Sequence, residues 1–435
     1  MGPHKGVPMH ARSIAICLLL FFASLAPAEA QLRGHGGPVR ALALAADGET
    51  LVSGSFDSTA ILWSLVSGSA ERVLRFHAGA VNAVAVLQDG RIATSGEDGR
   101  IALWRRGAAE PGEVLSGHAG PVVALAVSPD GKTLASGSWD NTARLWPLAG
   151  GAPKVLDGHA QHVNGLAFTA DGRALVTVGY DATLRIWPLA AAGAAKIVTL
   201  PGPLNAVVVG RSGGIIAAGA SGKVFFLSPA GDLQAELQAA TAPVIALAIS
   251  GDGSHIAASS VQGAIAIIDP DARALERTLV GPGLPAWAVT FLGDNRSLLT
   301  GGGDRVIRRW NSATGEQSGE VTMGAPEDPL AAYQGEPGAQ VFRACVACHT
   351  LKPQDGPRAG PTLAGVFGRK IATLPGYDFS PALKNLDIVW TPETLAKLFD
   401  LGPAAYTPGS KMPEQRVGAE DRAELIAFLQ KATKN

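Results

Sequence analysis

The chain has 435 residues, which is enough for two or three domains with buried cores. Hydrophobic residues make up 47% of it and charged residues 17%, a composition that is typical of globular protein and excludes a largely disordered chain. The formal net charge of −1 provides no general attraction to nucleic acid or anionic lipid, so we predict no nucleic-acid partner.

Residues 1–30 have the pattern of an export signal peptide, with the basic residues Lys5 and Arg12 before an apolar stretch and an A-x-A cleavage pattern at the end. The apolar stretch, residues 14–26, is short for a transmembrane helix, which needs roughly 20 residues. We therefore predict cleavage before Gln31 and no stable membrane span afterwards. An uncleaved membrane anchor is the alternative.

Four similar segments follow at intervals of 41 or 42 residues. Within residues 122–146, VVALAVSPDGKTLASGSWDNTARLW, turn sequences separate three β-rich runs, and the following KVLDGH supplies a fourth. Four strands in a repeat of this length are the pattern of one propeller blade. The recurring residues are His35, His77, His118 and His159 near the start of each segment and Trp63, Trp104, Trp146 and Trp187 near its end.

These segments resemble WD repeats, and the resemblance extends over residues 34 to about 321. In such repeats a histidine, a serine or threonine, an aspartate and a tryptophan form a hydrogen-bonded tetrad, so that each buried polar group has a partner. The tetrad accounts for every histidine of the series, and a metal-binding histidine ring is therefore not predicted. The matching sets are His35, Ser53, Asp57 and Trp63; His77, Thr94, Asp98 and Trp104; His118, Ser136, Asp140 and Trp146; and His159, Thr177, Asp181 and Trp187.

Three further segments keep the period but lose parts of the tetrad. The fifth and sixth have Phe226 and Ile268 at the tryptophan position, and the seventh lacks the histidine. We predict a seven-bladed all-β propeller over residues 31–322. Its last outer strand comes either from residues 320–324 or from the N-terminal Gln31-Leu32-Arg33, and the sequence does not decide between them.

The composition changes after the repeats, and residues 323–333 are predicted to be a linker. FRACVACHT, residues 342–350, then contains C-x-x-C-H, the pattern of covalent c-type haem attachment through Cys345 and Cys348, with His349 beside the iron. A zinc half-site and a redox dithiol are the alternatives. However, structural zinc needs four ligands, this part of the chain has one histidine, and a dithiol has no need of it.

Residues 334–432 resemble class I cytochrome c of the mitochondrial and α-proteobacterial type. GAQVFRACVACHT matches the first helix and the attachment site, AGPTLAGVFGRK the loop after the haem histidine, and DRAELIAFLQKAT the terminal helix. YTPGSKMP matches the segment of the sixth ligand. The resemblance implies an all-α domain over residues 334–435 with one covalent haem c per chain, whose iron is bound by His349 and Met412.

The resemblance also implies supporting roles around the haem. The Pro361 carbonyl would accept a hydrogen bond from His349 and so orient the ring. Tyr377, Trp390 and Ser410 stand where the family hydrogen-bonds the haem propionates, and Arg369 stands where the family neutralises their charge.

The resemblance places Gly338 and Phe342 opposite Leu425 and Phe428, where the first and last helices of the family cross. One segment departs from the family. LFDLGPAAY is one residue longer than usual, and Leu398 stands where the family has an internal tyrosine. We expect this departure to alter the reduction potential and not the ligation of the iron.

Ligation by His349 and Met412 fills both axial positions of the iron, which suits single-electron transfer and leaves no site for a substrate. The region from Gln334 has twelve lysines and arginines against ten aspartates and glutamates, so its own attraction to acidic redox partners is weak. We predict a periplasmic electron carrier, bacterial by the resemblance, that exchanges electrons with redox partner proteins and binds a protein partner through its propeller.

Two other interpretations stay open. Quinohaem dehydrogenases and cytochrome-type nitrite reductases also join a propeller to a cytochrome c, so the chain could be a periplasmic redox enzyme with a substrate or second cofactor site in the propeller. Those propellers have eight blades, and this sequence shows neither an adjacent cysteine pair nor a catalytic set outside the tetrads. A haem-based redox sensor or scaffold is the third interpretation.

Overall fold

The structure is a computed structural model of the chain. All but residue 2 of the predicted signal peptide, most of the predicted linker and the alternative closing strand at 320–324 lie outside the residues that it describes. Among the described helices, none combines the length and the apolar character that crossing a bilayer requires. The described residues are 2, 31–190, 193–317, 330–346, 348–355, 357–377, 379–412 and 415–434.

Within the described part of the chain, twenty-eight strands form seven antiparallel four-stranded sheets, and each sheet is one blade of a propeller. From the innermost strand outward, blades 1 to 3 contain β2 (Val39–Leu44), β3 (Thr50–Ser55), β4 (Thr59–Ser64) and β5 (Ser69–Arg75); β6 (Val81–Val86), β7 (Ile92–Gly96), β8 (Ile101–Trp104) and β9 (Glu113–Leu115); and β10 (Val122–Val127), β11 (Thr133–Ser138), β12 (Thr142–Pro147) and β13 (Lys154–Asp157).

The remaining blades have the same order, and blade 7 takes its outermost strand from the N-terminus. Blades 4 to 7 contain β14 (Val163–Phe168), β15 (Ala174–Gly179), β16 (Thr183–Pro188) and β17 (Lys196–Thr199); β18 (Leu204–Val209), β19 (Ile215–Gly219), β20 (Lys223–Leu227) and β21 (Leu233–Gln238); β22 (Val244–Ile249), β23 (Ile256–Ser260), β24 (Ala264–Asp269) and β25 (Ala274–Val280); and β26 (Ala288–Phe291), β27 (Ser297–Gly301), β28 (Val306–Asn311) and β1 (Gln31–Arg33).

The ring is closed by the N-terminal strand, which is one of the two closures that the sequence allowed. The innermost strands contact their neighbours around the ring, and β26 of blade 7 contacts β2 of blade 1. At the rim, β1 pairs antiparallel with β28, and Leu32 lies opposite Ile307. Pairing of the first strand with the last blade holds the two ends of the propeller together.

Four blades contain the predicted tetrads. In blade 3 the indole N–H of Trp146 donates to Ser136 Oγ at 2.8 Å, and His118 lies 2.8 Å from that oxygen and 2.7 Å from Asp140. Since a carboxylate only accepts, Nδ1 of His118 carries the proton and Nε2 accepts from the serine hydroxyl. Equivalent bonds connect the sets in blades 1, 2 and 4.

Blades 5 and 6 replace the tryptophan and the serine or threonine of the tetrad with apolar side chains. Phe226 and Ile268 occupy the tryptophan position and are buried. The strand register places Ala218 and Ala258 where the other blades have serine or threonine. Because donors and acceptors are replaced together, these blades keep their packing without leaving a polar group of the tetrad unsatisfied.

A helical region with its own core follows the propeller. The predicted fold class, a seven-bladed all-β propeller followed by an all-α domain, is therefore confirmed. Its elements are α1 (Pro337–Phe342), α2 (Pro381–Lys384), α3 (Pro392–Leu401), α4 (Pro403–Tyr406) and α5 (Ala419–Ala432), with 3-10 turns at Ala331–Tyr333 and Pro353–Asp355.

The first and last helices of this domain cross closely, as predicted. A Cβ on Gly338 would lie 2.1 Å from the Glu424 carbonyl oxygen, so only glycine allows this approach. Beside the crossing the rings of Phe342 and Phe428 lie 5.6 Å apart, and Leu425 is fully buried. This crossing anchors α1, which leads into the C-x-x-C-H segment.

Candidate haem site

The predicted attachment residues lie just after α1, where the chain continues to turn. The backbone N–H groups of Cys348 and His349 both donate to the Cys345 carbonyl, at 3.1 and 3.0 Å. Both cysteines are free thiols, and burial raises the pKa of each to about 11. The turn therefore places two neutral thiols and an imidazole on one short piece of backbone.

His349 is oriented by the carbonyl of Pro361. Its Nδ1 donates to that oxygen at 2.7 Å, which leaves Nε2 as the nitrogen that can bind a metal. Burial lowers the pKa of His349, and this favours the neutral imidazole that acts as a ligand.

Met412 lies in a turn that packs against the core of the same domain. Its backbone N–H donates to Ser410 Oγ at 3.1 Å, and the Ser410 N–H donates to the Thr407 carbonyl at 3.0 Å. The Met412 side chain is partly buried and contacts the apolar cluster that includes Cys345. Ser410 thus shapes the turn that presents the thioether.

The other predicted haem-binding residues lie in two places. The Arg369 guanidinium donates to the backbone carbonyls of Thr362 and Ala364, both at 3.0 Å. The backbone carbonyl of Arg369 accepts a hydrogen bond from the backbone N–H of Trp390. The Trp390 side chain packs against the domain core. Tyr377 lies apart from Arg369 and Trp390, beside the loop that precedes Pro361, where its hydroxyl donates to the Ala359 carbonyl at 2.7 Å.

Two glycines beside the site were not predicted from the sequence. A Cβ on Gly360 would lie 2.5 Å from Cε1 of His349, so this glycine makes room for the imidazole. Gly36 of the propeller lies against Cys348. A signal for Gly36 was present in the repeats, because the residue after the tetrad histidine is alanine in blades 2, 3 and 4.

The donors fit a covalently bound haem. Two free thiols separated by two residues can form its thioether bonds, and the adjacent imidazole has Nε2 left for iron. The Met412 thioether contacts the core that holds these residues and could supply a second ligand to the iron.

The fold and this donor set define a WD40-repeat propeller joined to a cytochrome c domain. The cytochrome c family matches residues 335–433, and the WD domain, G-beta repeat family matches residues 28–64, 68–105, 109–147, 151–188 and 274–311. Residues 189–273, between the last two matches, contain blade 5 and the three inner strands of blade 6, the blades in which apolar residues replace the tetrad tryptophan.

Individual relatives match the C-terminal domain. Cytochrome c of Sesamum indicum is 41% identical over 98 residues, which are 22% of this chain and 87% of the relative. Cytochrome c type-1 of Ascaris suum is 40% identical over 111 residues, 25% of this chain and 96% of the relative. Cytochrome c2 of Blastochloris viridis is 37% identical over 112 residues, 26% of this chain and 87% of the relative. The chain belongs to the cytochrome c family, and this membership implies a covalently bound haem c.

Proposed function

We propose that the chain is an exported c-type cytochrome that carries single electrons through one haem per chain. Cys345 and Cys348 hold the haem covalently, and His349 and Met412 bind its iron. The hydrogen bond from His349 Nδ1 to the Pro361 carbonyl carries this proposal, because it leaves Nε2 for iron in a domain of the cytochrome c family.

Haem c supplies a one-electron couple when it is bound. The protein holds its ligands on packed backbone, with the imidazole fixed by Pro361 and the Met412 turn fixed by Ser410. Two protein ligands leave no coordination position for a substrate. This arrangement favours electron transfer over turnover of a substrate by the cytochrome domain.

A cavity at one end of the central channel supports a partner-binding role for the propeller. It has a volume of about 750 Å³. The second residues of several innermost strands line it, among them Arg40, together with Trp287 just before β26. The Arg40 guanidinium lies 5.1 Å from the Trp287 ring centre, and Trp139 and Tyr180 at the rim are exposed. Aromatic residues and arginine are enriched in protein interfaces, so we assign the protein partner to this surface.

Export to the periplasm is the third part of the proposal. Its support is the sequence pattern of residues 1–30, in which basic residues precede an apolar stretch and an A-x-A site. After cleavage before Gln31, β1 would begin the mature chain and its pairing in blade 7 would be retained.

The ligation is tested by an optical spectrum of the haem-loaded, full-length protein, reduced and then exposed to carbon monoxide. We expect the spectrum of one low-spin c-type haem that carbon monoxide leaves unchanged, because Met412 occupies the sixth position. Met412→Ala should bind the gas, whereas Met323→Ala in the predicted linker should behave as the wild type. Ready binding by the wild type, or a second chromophore, would instead favour the enzyme or the sensor.

A further inference from the structure

The sulfur of Cys348 lies against the propeller. A Cβ built on Gly36 would lie 2.1 Å from Cys348 Sγ, and its other neighbours, Cys348 Cβ and Asp57 Cβ, are at 3.6 and 3.8 Å. An alanine at position 36 would therefore fit within blade 1 and collide with the attachment sulfur alone.

The repeats show that glycine at this position is peculiar to blade 1. In each of blades 1 to 4, the backbone N–H of the residue after the tetrad histidine donates to the tetrad aspartate, at distances from 2.7 to 3.1 Å. All four blades share this hydrogen bond, and in three of them the donating residue is alanine. The blade that contacts Cys348 has the only glycine of the four, namely Gly36 against Ala78, Ala119 and Ala160.

Arg75, the last residue of β5, makes a second contact with the cytochrome domain. Its guanidinium donates to the Arg358 and Ala359 carbonyls at 2.7 and 3.1 Å and lies 4.0 Å from the ring centre of Tyr377. Beside it, the Ala359 N–H donates to the Gly34 carbonyl at 3.1 Å. The loop before Pro361 and the Tyr377 ring are thereby fixed on blade 1.

A third contact comes from the segment of the other axial ligand. The Lys411 ammonium donates to the carbonyl of His77, at the start of blade 2. Lys411 precedes Met412, and Cys348 precedes His349, so the residue before each proposed axial ligand contacts the propeller. The cytochrome domain therefore faces blades 1 and 2 with the side that carries both ligand segments.

We propose that blades 1 and 2 form an intramolecular docking surface that covers the haem-attachment side of the cytochrome domain and shields it from external electron donors. This proposal rests on the proposed function and adds a way in which electron transfer to the haem is regulated. The described contacts are few and mostly polar, as in interfaces between domains that move, so the domain can undock to meet a redox partner. Phe56 of blade 1, the residue before Asp57, lies 6.2 Å from Trp287 at the central cavity, so blade 1 borders both this cavity and the docked domain.

The test compares haem-loaded, full-length protein with Gly36→Ala and Arg75→Ala. Gly293→Ala is the control for the first variant, because a Cβ there meets no atom within 4 Å. Arg277→Ala is the control for the second, because Arg277 also lies on an outermost strand and donates to a backbone carbonyl, that of Thr314 within the propeller. Three quantities are measured: the radius of gyration by X-ray scattering, the reduction potential, and the rate of one-electron reduction by ascorbate.

In both test variants we expect a larger radius of gyration and a lower reduction potential, since water at the attachment side favours the oxidised haem. We expect ascorbate to react about tenfold faster with Arg75→Ala, because loss of even one charge-assisted hydrogen bond shifts an opening equilibrium by at least that factor. Gly36→Ala should also react faster, because the added methyl group collides with Cys348 Sγ in the docked state. The controls should match the wild type. Wild-type values for Gly36→Ala, or slower reduction after either substitution, would overturn the docking surface. Scattering does not depend on the iron ligands, so docking and ligation can fail separately.

Discussion

Leu32 of the N-terminal strand lies opposite Ile307 of the last blade and is 5% exposed, buried in the same apolar cluster as Ile61 and Trp63 of blade 1. This one side chain therefore joins the closing strand to both the first and the last blade. The closure of the ring depends on it as well as on the backbone pairing.

Leu32→Ala should lower the free energy of unfolding of the propeller by about 2–5 kcal/mol, the range for large-to-small changes in a core. Urea unfolding followed by tryptophan fluorescence measures this, since seven of the eight tryptophans are in the propeller. The control is Arg33→Ala in the same strand, where an exposed side chain should change stability by less than about 0.5 kcal/mol. Equal effects of the two substitutions would contradict closure by Leu32.

The propeller should lose stability in two stages as the pH falls. Burial lowers the pKa of His118 and of His159 below 6.5, so below that pH the unfolded chain binds protons that the folded chain does not, and stability decreases. Burial also opposes ionisation of Asp140, but hydrogen bonds from Thr142, His118 and backbone N–H groups outweigh it and hold the pKa at about 2. A second loss should follow between about pH 4 and 2. Urea midpoints that stay constant from pH 7 to 5 would contradict the first stage.

Gly338→Ala should destabilise the cytochrome domain and leave the propeller unchanged. The new Cβ would lie 2.1 Å from the Glu424 carbonyl oxygen and 2.5 Å from Phe428 Cβ, so α1 and α5 must separate. Overpacking of this kind costs about 1–3 kcal/mol. Thermal unfolding followed by haem absorbance measures the melting temperature of this domain. Tryptophan fluorescence at 25 °C shows whether the propeller keeps its fold. Gly418→Ala, with no atom within 4 Å of its Cβ, is the control in the same domain. Equal melting temperatures for the two variants would contradict the prediction.

Gly360→Ala should weaken binding of iron by His349. The added carbon would lie 2.5 Å from Cε1 of the imidazole and 2.8 Å from the Cys348 carbonyl oxygen, so the ring must leave the Pro361 carbonyl. Loss of such a supporting bond typically reduces metal affinity about 10–100-fold. The measurement is the fraction of high-spin haem in the optical spectrum, with Gly418→Ala again as the control. A wild-type spectrum would show that the orientation of His349 does not depend on Gly360.

Local patterns in the sequence were sufficient to predict the tetrads that four blades contain, whereas haem attachment at the cysteines stays a prediction. The resemblance to WD repeats implies the tetrad of His118, Ser136, Asp140 and Trp146, and it gives each of these buried polar groups a partner. The positions of Cys345, Cys348 and His349 likewise predict attachment chemistry without any structure.

The sequence could not decide the features that depend on contacts distant along the chain. Residues 31–33 and 320–324 were equally able to supply an outer strand, and the pairing of Leu32 with Ile307 is visible only in the fold. The contact of Gly36 with Cys348 is likewise visible only in the fold, although the repeats already contrast this glycine with alanine in blades 2, 3 and 4. Individual contacts of this kind leave no periodic signal.

The central claim, a one-electron carrier with a single haem, is tested most directly by a coulometric redox titration of the full-length protein, followed optically. We expect one transition of one electron per chain, with the absorbance of a c-type haem changing in step with the charge passed. Uptake of two or more electrons per chain, or charge passed without a change in the haem bands, would contradict the claim and indicate a second redox cofactor.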